Sequence, residues 1–212
     1  MNKLEELNAK YILEEINSKI YSNLKKGDIE RPDLMREDKS LGVEVTRIIP
    51  NEWAEIDSIV NRYLGKGLSY DEVIEYTKDK NMESFIFSIN NGKNWGYRKE
   101  KNSAFNMNIF LEKIKKEIEK KFKKTKNYSV CKQLDLFVFF DLCLITRRDI
   151  EDLWKDVCQT WIGFDNIIFF NSSELFFLNK TGEIDTVELT SEIRKRAFEK
   201  AEIEYNMDLM YK

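Results

Sequence analysis

The stretch Arg31-Pro32-Asp33-Leu34-Met35-Arg36-Glu37-Asp38-Lys39-Ser40-Leu41-Gly42-Val43-Glu44-Val45-Thr46 decides how the chain is read. Two short strands are predicted, over 31–37 and 42–49, the second rich in β-branched residues. The polar turn Glu37-Asp38-Lys39-Ser40 joins them as a hairpin. Asp33 falls near the start of the first strand and Glu44 in the middle of the second, with Val43 and Val45 on the opposite face. An acid inside so apolar a strand is costly if buried without a partner. Two carboxylates on one face of adjacent antiparallel strands can hold an oxygen-liganded Mg2+ or Mn2+. Such an ion polarises a phosphoryl oxygen and acidifies water without any histidine. The competing reading is structural: Asp33 begins a turn after Pro32, and Glu44 pairs with an arginine or lysine.

Outward from the hairpin, periodicity places a helix before it at 4–24, with Glu5, Ala9, Ile12, Ile16 and Ile20 on one face. After it, Pro50-Asn51 stops the strand and caps a helix at 52–64. A shorter helix is predicted at 71–79. Residues 81–103 read as a polar loop with a strand at 84–89 and a turn at Asn90-Asn91-Gly92. Then come a long helix near 104–126, a strand at 134–140 apolar enough to be buried on both faces, and a helix at 148–160. Strands at 166–171 and 174–178 and a charged helix at 190–205 complete the order. Crossover helices between apolar strands imply an α/β fold with a mixed central β-sheet flanked by helices. The organisation expected is one domain over 1–181 carrying an insertion at 65–103, followed by a C-terminal helical extension at 182–212.

Composition narrows the chemistry. The 212 residues carry 35 Lys+Arg against 38 Asp+Glu and no histidine. Ser-His-Asp catalysis, Cys-His catalysis and His-ligated metals are therefore excluded. Cys131, Cys143 and Cys158 form no CxxC pair and read as three buried thiols in a reducing cytoplasm. The longest apolar runs are too short to cross a membrane. The net charge of −3 hides a local contrast: 113–126 holds eight lysines against two glutamates. Such a run is either the solvated side of a helix or a surface that tracks a phosphate backbone. Trp95, Tyr97, Arg98 and Lys99 mix aromatic and basic groups that could stack on bases or grip phosphates, or simply pack.

Pro32-Asp33, ten residues, then Gly42-Val43-Glu44-Val45-Thr46 resembles the PD-(D/E)xK nuclease superfamily, closest to variants written PD…GxExT. The order of elements over 4–178 matches that superfamily's restriction-endonuclease-like core, αβββαβ, here with helical insertions. The resemblance implies a metal-dependent nuclease that hydrolyses phosphodiesters, DNA favoured, with Mg2+ or Mn2+ held by Asp33, Glu44 and the main-chain carbonyl of Val45. It departs at Thr46, where the family usually has lysine. Variants that lose the strand lysine often recruit one from a following helix. Lys121, at the edge of the apolar face Phe110-Ile114-Ile118, is the candidate. A further acid is often supplied by the first helix, which points to Glu5 or Glu6, with Glu6 taken as the site residue. Lys116, Lys120, Lys124 and Arg98 are the expected nucleic-acid contacts, and such nucleases frequently form homodimers. The alternative implied by Thr46 is a catalytically inactive nuclease-fold protein serving as a nucleic-acid-binding or protein-interaction module. A third reading is an immunity or regulatory protein whose acidic surface blocks a basic partner.

Overall fold

The computed structural model describes residues 3–27, 32–48, 82–89, 92–99, 107–128, 131–140 and 145–210, with the backbone alone for 82–89 and 92–99. The helices expected at 52–64 and 71–79, and Cys143, lie outside the described residues. The chain divides into two compact units, one of residues 1–48 and 111–212, the other of residues 49–110.

The first helix is shorter than its periodicity suggests. It runs as α1 (Lys3–Ile16), and a second short helix, α2 (Ser18–Tyr21), follows. Asn17 breaks the register, its side-chain oxygen accepting a hydrogen bond from the Ile20 amide at 3.3 Å. Restarting the helix there turns Ile20 away from the core, so it is exposed, contrary to the expected stripe. The buried face of α1 is Glu6, Leu7, Ala9, Ile12 and Leu13. Glu5, which the spacing put on that face, is only half-buried and pairs with Arg47 at 3.2 Å.

The predicted hairpin forms, with a first strand much shorter than 31–37. β1 (Lys25–Lys26) and β2 (Leu34–Met35) precede the long β3 (Leu41–Ile48). β2 and β3 are antiparallel, with Leu34 opposite Val43 and Met35 opposite Gly42. In the second unit, β4 (Met82–Ile89) and β5 (Gly92–Lys99) pair antiparallel over their full lengths. The segment read as loop beyond residue 91 is thus a strand.

The helix α3 (Met107–Lys124) leads through a 3-10 turn at Thr125–Asn127 into β6 (Gln133–Phe140). There follow α4 (Arg147–Val157), β7 (Asn166–Phe170), β8 (Glu174–Asn179), β9 (Ile184–Glu188) and α5 (Ser191–Met210). Residues 182–212, read as a helical extension, therefore contribute a sheet strand as well as a helix. Seven strands make one mixed sheet in the order β1-β2-β3-β6-β7-β8-β9. β3, β6 and β7 are parallel at its centre and the flanking pairs are antiparallel. The fold is mixed α/β, a central sheet flanked by helices. Among the described residues no helix is long and apolar enough to cross a membrane. Cys131 and Cys158 are half-buried, not buried as expected, because each lies at the end of an element and not within one.

Strand alternation divides the core. Val43, Val45, Phe137, Phe139, Ile168 and Phe170 pack with Ala9, Ile12 and Leu13 of α1 and Ala197 of α5. The small Ala197 and Ala201, both fully buried, let α5 lie close along α1. Ion pairs from Glu15 to Lys200 at 2.6 Å and from Lys10 to Glu204 at 2.7 Å bind the same two helices. The other face of the parallel strands carries Glu44, Thr46, Leu136, Val138 and Ile167, all buried.

One carboxylate on the first face pairs with no cation among the described residues. Asp135 is fully buried and accepts from Tyr21 Oη at 3.0 Å, Gln133 Nε2 at 2.9 Å and Asn166 Nδ2 at 2.8 Å. Burial pushes its carboxyl up to about 6, outweighing those three bonds. The folded state thus holds the proton more tightly than the unfolded chain does. The buried charge costs stability above about pH 6, and that cost fades as pH falls towards about 4. Asp135→Asn should therefore gain on the wild type most at about pH 7.5 and least at about pH 5 in urea unfolding. Asp135→Leu, which leaves the buried Tyr21 hydroxyl and the half-buried Gln133 and Asn166 amides without this acceptor, should lose about 3 kcal/mol at either pH.

Candidate active site

The site forms where the β2–β3 ladder stops. Arg36 N donates to Leu41 O at 2.9 Å, which fixes the hydrogen-bonded pairs of this ladder as 36/41, 34/43 and, next in order, 32/45. Residue 32 is proline. It has no N–H to give to the Val45 carbonyl, so the ladder ends and Val45 keeps a main-chain amide and carbonyl on that edge. Side chains take both. Asp33 Oδ2 accepts from the Val45 amide at 2.8 Å, and the Lys121 ammonium donates to the Val45 carbonyl at 3.3 Å.

Asp33 stands opposite Glu44 in the same register, so the two carboxylates share a face. Lys121 arrives from α3 and its Nζ lies 2.6 Å from Glu44 Oε1. The side chains of Glu44 and Lys121 retain only 6% and 15% exposure, so this is a desolvated pair and not a surface one. α3 is held over this face by Ile114, Ile118 and Phe122, all buried. Lys121 lies three residues beyond Ile118 and leans from that buried stripe towards the sheet. Lys115 also pairs with Asp156 of α4 at 3.6 Å.

Burial, then the neighbouring Glu44 charge, push the Asp33 carboxyl up to about 6, with a smaller push from Glu6. The Val45 amide and Lys121 pull the other way but do not restore the ordinary value. Among the described residues Lys121 is the ammonium that meets these carboxylates, and it offsets their mutual effect only in part. Tyr128, just beyond α3, is half-buried and hydrogen-bonds Glu44; burial and that carboxylate hold its hydroxyl protonated, far above the usual phenol range.

The donor set suits a hard cation. Asp33, Glu44 and the Val45 carbonyl present oxygen only, and Mg2+ characteristically takes one or two carboxylates and keeps several waters. Among the described residues no three His, Cys, Asp or Glu side chains gather into a metal cage. An ion here would rest on two carboxylates, one carbonyl and solvent.

The other expected residues fall as follows. Glu6 is buried on α1 and lies 3.6 Å from Lys26; its charge reaches Asp33 without joining the Asp33–Glu44–Lys121 contact. Thr46 is buried two residues after Glu44 on the same face, level with Val138 of β6. Lys116, Lys120 and Lys124 are exposed on α3, Lys120 being 2.6 Å from Glu117. Arg98 lies on β5 opposite Glu83, in the other unit. Arg47 is exposed on the face opposite Glu44, as strand alternation requires. Tyr128 escaped the sequence reading because it follows a helix in an aperiodic turn, where no spacing rule marks it. Pro32 could have been found, since a proline beside a strand signals where pairing stops.

Comparison with protein-family profiles, with curated proteins and with solved structures finds no match.

Gly42 secures the geometry of Asp33. A Cβ at this position would lie 2.7 Å from Pro32 Cγ, 2.9 Å from Cys131 Sγ and 3.1 Å from Leu134 Cδ1. The proline ring cannot yield without moving the backbone that carries Asp33. Gly42→Ala is expected to lower unfolding free energy by roughly 1–3 kcal/mol in urea titrations. It should also weaken any divalent-ion binding, measured calorimetrically, more than Ala197→Gly, a destabilising change on α5 at the opposite face of the sheet.

Proposed function

We propose that this protein is a metal-dependent phosphodiesterase of PD-(D/E)xK type acting on nucleic acid, DNA favoured. The observation that carries the reading is the placement of the Lys121 ammonium at 2.6 Å from Glu44 and 3.3 Å from the Val45 carbonyl, beside Asp33. A lysine from a following helix stands where the strand lysine is missing at Thr46. In this reading the restriction-endonuclease-like core comprises α1, the hairpin with β3, α3 and the parallel strands.

The chain's own groups divide the work. Asp33, Glu44 and the Val45 carbonyl would hold Mg2+ or Mn2+, which when bound polarises a phosphoryl oxygen and makes water acidic enough to attack. Lys121 stabilises the charge that develops on the phosphorus oxygens in the transition state. Tyr128 keeps Glu44 oriented through its hydroxyl. On the outer side of α3, Lys116, Lys123 and Lys124 are exposed and have no ion-pair partner among the described residues. They form a cationic surface on the same helix that delivers Lys121, suited to a phosphate backbone.

A second reading, a nuclease-fold module without catalysis, is favoured by the same ion pair: Lys121 already neutralises Glu44, which leaves the pair stable with no ion present.

Plasmid, single-stranded DNA and RNA incubated with Mg2+ or Mn2+ separate the two. Metal-dependent cleavage is expected, abolished by Asp33→Asn and Glu44→Gln and lowered by about 10²–10³ in rate by Lys121→Met. Cleavage that survives Asp33→Asn, or none by the wild type, sinks the nuclease reading. Reversing Lys116, Lys120 and Lys124 to Glu should weaken DNA binding in the catalytically silent Glu44→Gln protein. It should also flatten the slope of log affinity against log salt by about one for each phosphate that is no longer neutralised. Binding that keeps its salt slope would remove α3 from the interface.

A further inference from the structure

We propose that Lys121 is the resident cation of this site in the metal-free protein, and that a divalent ion binds only by displacing its ammonium from Glu44 and Val45. The inference rests on the metal-dependent reading above and adds to it a competition between two cations for the same oxygens.

Lys121 Nζ contacts Glu44 Oε1 and the Val45 carbonyl, two of the three donors assigned to the ion. The third, Asp33, meets Val45 from the amide side. Three buried or half-buried carboxylates act on this region, Glu44, Asp33 and Glu6. The only other lysine paired with any of them among the described residues is Lys26, at 3.6 Å from Glu6 and 61% exposed. With so little water at Glu44, its charge cannot be left to diffuse counter-ions, and the ammonium supplies the neutralisation.

An ammonium and a divalent ion cannot both occupy the gap between Glu44 and Val45. Each takes lone pairs from the same atoms, and in a desolvated site their mutual repulsion is large. Lysine suits the exchange, because its charge is a compact group on a flexible four-carbon stem that can swing without moving α3. The ammonium released from Glu44 remains beside the site, where it can meet the phosphate of the substrate. Metal entry and the freeing of Lys121 for chemistry are then one event. A plain structural ion pair would behave otherwise, with metal affinity indifferent to it or dependent on it.

Calorimetric titration of Mn2+ into the wild type, Lys121→Met and Lys121→Gln tests this, with circular dichroism confirming that each is folded. Both variants should bind Mn2+ about tenfold more tightly than the wild type. Without metal they should melt at a lower temperature than the wild type, and Mn2+ should restore more of that loss than it adds to the wild type. Adding Asp33→Asn to Lys121→Met should abolish the tight site and so locate it. Binding by Lys121→Met and Lys121→Gln no tighter than that of the wild type overturns the competition, whatever the cleavage assays show. Mn2+ binding by neither the wild type nor the variants overturns it as well. If only the variants bind and the wild type neither binds nor cleaves, the competition stands and the nuclease reading falls.

Discussion

The site depends on a ladder that cannot continue. Pro32 has no amide hydrogen, so the antiparallel pairing of β2 with β3 stops one hydrogen-bonded step early. Val45 is left with a main-chain donor and acceptor on an edge that water barely reaches, and such groups must find partners. The partners are a carboxylate on one side and an ammonium on the other. The two charged side chains converge because one strand residue, Val45, presents both its N–H and its C=O at the same edge. Gly42 serves the same end, since only a hydrogen in place of Cβ lets the Pro32 ring lie against β3.

Charge balance follows from that convergence. Glu44 and Asp33 face each other across the hairpin; burial of Asp33 first, and then the charge of Glu44, push its carboxyl up to about 6. One ammonium offsets part of this. Asp135, on the opposite face, is an instructive contrast: it is more deeply buried, yet it is surrounded by the neutral donors Tyr21, Gln133 and Asn166. That arrangement satisfies the geometry of one carboxylate with neutral donors. The Asp33–Glu44 face instead sets two acids and a main-chain carbonyl beside a lysine ammonium, so its balance is struck between charges and not between a charge and neutral donors.

Much of this is legible in local patterns. The apolar runs mark β6 and β7, the turn at 37–40 marks the hairpin, and the position of Lys121 three residues beyond Ile118 places its amine towards the sheet. The failures have physical reasons. The helix expected over 4–24 runs through Asn17 because apolar spacing continues past it, while a side chain able to cap the next turn competes with the helix at that point. β5 reads as loop because Gly92, Gly96 and several polar residues dilute its strand signal, and cross-strand pairing overrides it. β9 has only one buried residue at its start, Ile184, so neither periodicity stands out. The partnership of Glu44, Lys121 and Tyr128 spans more than 70 residues of chain, a distance across which spacing carries no information.

Thr46 then takes on a positive meaning. A lysine at that position would start from a buried point on the Glu44 face, with Ile118 and Phe122 fully packed in the helix above. Its long stem would need room that the core under α3 does not offer, whereas the short, branched threonine fits a strand buried between β2 and β6. Delivering the amine from α3 resolves the conflict. The helix backbone lies outside the core, the methylenes of Lys121 run inward along apolar surface, and only the charged head reaches the acids. The strand can therefore be packed for stability while the cation keeps a stem long enough to move. The short Thr46 and the long Lys121 are thus complementary: the strand stays packed, and the ammonium reaches Glu44 from the helix.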